Sequence, residues 1–89
     1  MLNSKYIVLD DESGPLNMII FPSNLNHKDV FNVFKSMNSN NTCLSAGFVH
    51  PISECNKEPY TYGRSQSLNL ESNPEIDDIL LQNLLFERN

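Results

Sequence analysis

Basic residues are few in this 89-residue chain, and they never gather. The six lysines and arginines stand at positions 5, 28, 35, 57, 64 and 88. With no basic stripe, direct binding of DNA or RNA through counterion release is not expected. Apolar runs are short as well. None approaches the ~20 residues that a membrane-spanning helix needs. Met1-Leu2-Asn3-Ser4-Lys5 leads straight into a brief apolar stretch without a signal-peptide pattern. The expectation is a cytoplasmic protein with no membrane association. Cysteine is scarce: Cys43 and Cys55 stand 12 apart, and in that compartment both thiols are expected to be reduced rather than bridged. Close-spaced ligand pairs such as C-x-x-C are missing, so Cys43, His50, Cys55 and His27 do not read as a zinc site. No Gly-Lys-Ser/Thr follows any glycine, which excludes a P-loop. Gly63-Arg64-Ser65-Gln66-Ser67 lacks the second glycine of the G-x-S-x-G elbow, and both histidines lie elsewhere. Serine-hydrolase chemistry is therefore not expected, and the chain reads as a non-enzyme without a metal or cofactor.

What is present describes an ordinary small domain. Hydrophobic residues make up 39% and charged residues 19%, which places the chain with folded rather than disordered sequences. Residues 1–89 are expected to form one domain, near the lower size limit for unaided folding. A core of one sheet and two helices fits that length; a buried cofactor cavity beside it does not. Thirteen asparagines and ten serines supply turns, caps and uncharged polar surface. The net charge of -5 permits a basic partner but is too mild for a nucleic-acid mimic.

Periodicity then places the elements. Tyr6-Ile7-Val8-Leu9 marks a strand over about 4–10, and Leu16 to Phe21 a second one closed by Pro22. The acidic turn Asp10 to Gly14 joins them as a hairpin. Asn26 caps a helix running to about Met37, with Val30, Val33, Phe34 and Met37 on its apolar stripe. Thr42 to Val49 forms a third strand, stopped by Pro51. A polar loop follows over 52–58, then a short strand, Tyr60-Thr61-Tyr62. Ser72 and Glu75 match a capping box, with Pro74 in the first turn and Glu75, Asp77 and Asp78 at the positive end of the dipole. The second helix is expected over about 73–87. Its apolar set, Ile76, Ile79, Leu80, Leu81, Leu84, Leu85 and Phe86, exceeds one face. Either the helix is well buried or the surplus meets a partner. The order β-β-α-β-β-α predicts an α+β two-layer sandwich: a mainly antiparallel sheet of about four strands with both helices on one face.

Two stretches invite chemistry. In Tyr60 to Asp78, Arg64 with Ser65, Ser67 and Ser72 could join the second helix's N-terminus as an anion site. Three carboxylates crowd that first turn, however, and favour the plainer reading of a turn between strand and helix. The clusters Asp10-Asp11-Glu12 and Glu75-Asp77-Asp78 could attract a divalent cation, but a solvated turn and a dipole match account for them. Tyr60 and Tyr62 alternate onto one strand face and read as sheet packing rather than base stacking.

Ser45-Ala46-Gly47-Phe48-Val49, Tyr62-Gly63-Arg64-Ser65-Gln66-Ser67-Leu68-Asn69-Leu70 and Ser72-Asn73-Pro74-Glu75 together resemble a pattern in small bacteriophage and prophage proteins. In that pattern a SAGF strand precedes a YGxSxSLxLxSxPE element and a helix. The resemblance covers roughly residues 43–85. Asn73 stands where the pattern carries Arg, and Ile76 where it carries Asp. It implies a phage accessory protein that binds a host protein, with anti-defence inhibition as one form of that role. Glu75, Asp77, Asp78, Leu81 and Leu85 would make the contact. The rival reading is a homodimer or higher homo-oligomer that sequesters a nucleotide-like signal through Tyr62, Arg64, Ser65 and Ser67. A structural or virion-associated module is the third.

Overall fold

The computed structural model describes residues 4–50 and 58–86. The expectations for Pro51, for residues 52–57 of the loop, for Cys55 and for the Phe86 side chain lie outside what is described. Four strands, β1 (Ser4–Asp10), β2 (Asn17–Phe21), β3 (Thr42–His50) and β4 (Tyr60–Tyr62), form one antiparallel sheet in the order β2-β1-β3-β4. Helix α1 (His27–Met37) links β2 to β3, and α2 (Pro74–Phe86) follows a two-stranded hairpin, β5 (Arg64–Ser65) with β6 (Leu70–Glu71). The protein is α+β, as the hairpin pattern predicts. Among the described residues no helix is long and apolar enough to cross a membrane.

The helices do not share a face. Tyr6 and Val8 point into a core with Met18, Val49 and Leu81, which belongs to α2. Ile7 and Leu9 point the other way, with Phe21 and Ala46, and there Val30, Phe31 and Phe34 of α1 and Leu68 and Leu70 of the hairpin pack against them. Alternate residues of a strand face opposite sides, so α1 and the hairpin cover one face and α2 the other. The arrangement is three layers rather than the two-layer sandwich expected. The cause lies in β1, where Tyr6 to Leu9 are all buried. An unbroken apolar run demands cover on both faces, and each such side chain contributes about 1.5–3 kcal/mol on burial.

Helix α1 begins where its cap predicts. The Asn26 side chain accepts the Lys28 N–H at 2.8 Å, satisfying one orphan donor. The inward stripe is Val30, Phe31 and Phe34, while Val33 and Met37, expected on it, are exposed. Helix α2 departs further from its expectation. Asn73, not Ser72, precedes the first turn: its carbonyl accepts from Ile76 and Asp77. The side chain that reaches back to the Asn73 N–H is Asp77, not Glu75. Nor is α2 well buried, since Ile76, Ile79 and Leu84 are 46%, 60% and 52% exposed.

Gly47 sets the spacing between β3, β4 and the chain entering α2. A Cβ added there would stand 2.4 Å from the Tyr62 carbonyl oxygen, 3.2 Å from Ser72 Cβ and 3.3 Å from the Tyr6 ring. The nearest obstacle is backbone, which cannot swing aside. Gly47→Ala is expected to cost about 2–3 kcal/mol, the scale of overpacking, whereas Gly14→Ala, with open space around it, should stay within about 0.5 kcal/mol. Urea unfolding of the two variants checks this; equal midpoints would show that β4 is not held against β3 as described.

Candidate functional site

The residues singled out in the sequence fall into two places on opposite faces. On the α2 face, Asp77 is 1% exposed. Its carboxylate accepts from the Tyr6 hydroxyl, from Ser45 Oγ at 2.9 Å and from the Asn73 N–H at 2.8 Å. Asp78 accepts both the N–H and the hydroxyl of Thr61 at 2.7 and 2.6 Å, tying α2 to the edge strand β4. Leu81 is fully buried. Three of the five residues expected to meet a partner are therefore internal fastenings: Asp77, Asp78 and Leu81. Glu75 is exposed, and Leu85 is 38% exposed. The expected anion site at the head of α2 is closed, because Asp77 itself turns back on the Asn73 N–H there.

The second place is a cleft on the α1 face. It has a volume of about 460 Å³ and is lined by Lys5, Asn26, His27, Phe48, Tyr62, Gly63, Arg64, Gln66 and Ser67. Tyr62, Arg64 and Ser67, predicted from sequence, are brought together here. Ser65 is not: it is fully buried, its Oγ accepting the Leu68 N–H at 3.1 Å within the hairpin. The hairpin that carries Arg64 was expected to be a plain turn. It closes through Ser72 N–H to the Gly63 carbonyl at 2.9 Å, and Asn69 takes a left-handed φ of 56°, which asparagine tolerates. Gly63, at φ 81°, needs glycine both for that angle and because a Cβ would meet the Phe48 ring at 3.0 Å.

Lys5, His27 and Phe48 join the cleft from elements distant in sequence. Lys5 Nζ donates to the Leu25 carbonyl and Arg64 Nη2 to Asn69 Oδ1, both at 2.8 Å. Each cation is held by a neutral acceptor, and among the described residues neither forms an ion pair. Glu71, opposite Arg64 in the hairpin, is not bonded to it. Among the described residues, no carboxylate lines the cleft. His27 is 4% exposed, and its Nε2 donates to the Gly47 carbonyl at 2.8 Å. A carbonyl can only accept, so the neutral ring presents Nδ1 as an acceptor. Burial lowers the His27 pKa below its ordinary value, consistent with that neutral ring. Phe48 and Tyr62 stack at 5.6 Å between centroids and form an aromatic wall. The cleft also adjoins the N-terminus of α1, whose Lys28 N–H is shared by Asn26 and, at 3.3 Å, by Ser67 Oγ. The arrangement offers two cations, hydroxyl and amide groups, one imidazole acceptor and two rings. Among its described residues, no nucleophile is paired with a base. Comparisons with protein-family models, with curated proteins and with solved structures give no match.

Burial, and next the hydrogen bond to Asp77, push the Tyr6 hydroxyl far above its usual pKa of 10.0. Folding thus favours the neutral phenol. That contribution is complete below the unfolded value and is lost as pH rises above it, at up to about 1.4 kcal/mol per pH unit. Tyr6→Phe is expected to cost about 1–3 kcal/mol at neutral pH and to flatten the fall of stability between about pH 9 and 11. Chemical unfolding of both proteins across that window checks it. Parallel curves would show that Tyr6 ionises freely in the fold.

Proposed function

We propose that this chain is a non-enzymatic binding protein that holds a small anionic molecule in the cleft between α1 and the β5–β6 hairpin. One observation carries the reading: in a chain of net charge -5, Lys5 and Arg64 line a common cleft with no carboxylate among its described lining residues. Charged hydrogen bonds to such an anion are each worth about 1.5–3 kcal/mol. The polar groups around them, Asn26, Gln66 and Ser67, suit orientation rather than catalysis. This reading accords with the phage or prophage setting that the sequence pattern implies, in the form of a cytoplasmic protein that sequesters a small signal of the host cell. Capture of a host protein stands second. It retains Glu75 and the apolar residues Ile76, Ile79 and Leu84 on α2 but loses Asp77 and Asp78, two of its three expected carboxylates, to internal bonds.

Amide-resolved NMR titration with pyrophosphate, a sugar phosphate and ADP tests the proposal. At least one should give saturable shifts at Lys5, His27, Lys28, Gly63 and Arg64. The double variant Lys5→Gln/Arg64→Gln should weaken that ligand by about tenfold or more, 1.4 kcal/mol per decade, while unfolding at the same temperature within a few degrees. Failure of all three anions to shift the cleft residues at millimolar concentration overturns it.

A further inference from the structure

The cleft has two unlike walls, and a bare anion would use only one of them. Lys5 and Arg64 supply positive charge. Phe48 and Tyr62, stacked on each other, supply apolar ring surface on the same cavity. The volume of about 460 Å³ falls in the ~300–1,000 Å³ range of sites for whole small molecules, many times the ~30 Å³ share of one water. His27 adds a constraint of the opposite sign. Its ring is nine-tenths and more buried, its Nε2 is committed to Gly47, and no partner meets Nδ1 among the described residues. His27 is among the residues that line the cleft, and in the neutral ring Nδ1 carries a lone pair. A lone pair there repels phosphate oxygen and accepts from a hydroxyl or amine.

We propose that the ligand of this cleft is a nucleotide. Its phosphates meet Lys5 and Arg64, its base lies against the Tyr62–Phe48 wall, and a hydroxyl or amino group donates to His27 Nδ1. This inference rests on the anion-binding reading of the cleft and adds the class of molecule to it. Three features of the site match three parts of one compound: two cations for the phosphates, two stacked rings for the base, and a neutral acceptor for a donor on the sugar or base. A phosphorylated sugar would leave the ring wall unused, and an aromatic neutral compound would leave both cations unanswered. The rings also account for the glycine at position 63. A Cβ there would stand 3.0 Å from the Phe48 ring, so glycine lets the hairpin approach that ring closely as well as turning the chain.

Calorimetric titration with purine and pyrimidine 5′-diphosphates, with pyrophosphate and with the matching nucleosides separates the cases. At least one nucleoside diphosphate should bind about tenfold or more tightly than pyrophosphate and than its own nucleoside, the scale of one stacked base. Tyr62→Ala should abolish that margin while leaving pyrophosphate binding unchanged. Tyr62→Phe, which keeps the ring and the strand, should retain the margin, and this guards against misreading a folding defect. Equal affinities for pyrophosphate and every nucleotide, unmoved by Tyr62→Ala, would overturn the nucleotide and leave the anion site standing. A nucleoside that binds as well as its diphosphate would overturn the role given to the cations. No binding by any probe would overturn both readings.

Discussion

The carboxylate of Asp77 is the point on which the α2 face depends. It is almost fully buried and satisfied three times over, by the phenol of the central strand, by a hydroxyl of its neighbour and by the amide that precedes the helix. A buried polar group gains little over its hydrated state when satisfied and costs much when a partner is withdrawn. Asp77 therefore acts less as a source of net stability than as a specification. Only one placement of α2 satisfies it, and that placement also brings Leu81 into the core and Asp78 onto Thr61. Slippage of α2 by a turn would strand the carboxylate and the phenol together.

Gly47 couples this face to the other. Its missing side chain admits Tyr6 and Ser72 on the α2 side and leaves room for the Tyr62 carbonyl. Its own carbonyl accepts from His27 on the α1 side. His27 in turn meets Phe21 and Phe48 edge-on at 5.5 and 5.7 Å between ring centroids, so the start of α1 is held by one strand position and two rings. The cleft inherits its shape from that anchor, since Phe48 is one of its walls and Asn26, the cap of α1, is one of its rims. A single small residue in the sheet thus bears on both the seating of α2 and the geometry of the cleft.

Much of the fold is legible in the sequence, and the exceptions have physical causes. Strands, hairpins and the Asn26 cap follow from local signals that need no tertiary information. The side of the sheet on which each helix packs does not follow from hairpins, which fix strand order alone; the clue was the unbroken run Tyr6 to Leu9, which no one-sided sheet would carry. Asp77 defeats hydrophobic patterning because an aspartate in a first turn reads as a surface residue until three donors are brought to it. The β5–β6 hairpin escapes because two-residue strands have no period to detect. Of the cleft, Tyr62, Arg64 and Ser67 were visible because they are neighbours in the chain. Lys5, His27 and Phe48 were not, because only the register of β1 with β3 and the return of α1 bring them there.

Net charge describes this chain poorly as a guide to binding. The described carboxylates lie outside the lining that holds Lys5 and Arg64. Lys5 is the second residue of β1 and Asp10 the last, a separation of about 17 Å at ~3.4 Å per residue, roughly twice the ~8 Å over which charge is screened in physiological salt. The acidic turn after β1 is therefore electrically remote from the cleft. Asp77 and Asp78 stand on the opposite face of the sheet and are turned onto their own donors. Across the hairpin, Glu71 is the one carboxylate paired in register with Arg64, and it leaves that guanidinium to Asn69. The described lining of the cleft carries two cations and no carboxylate, against a net charge of -5 over the whole chain. On the proposed reading, an anion would meet attraction at the cleft and repulsion from the net acidity of the chain, so that acidity would sharpen the selectivity of the site instead of opposing it.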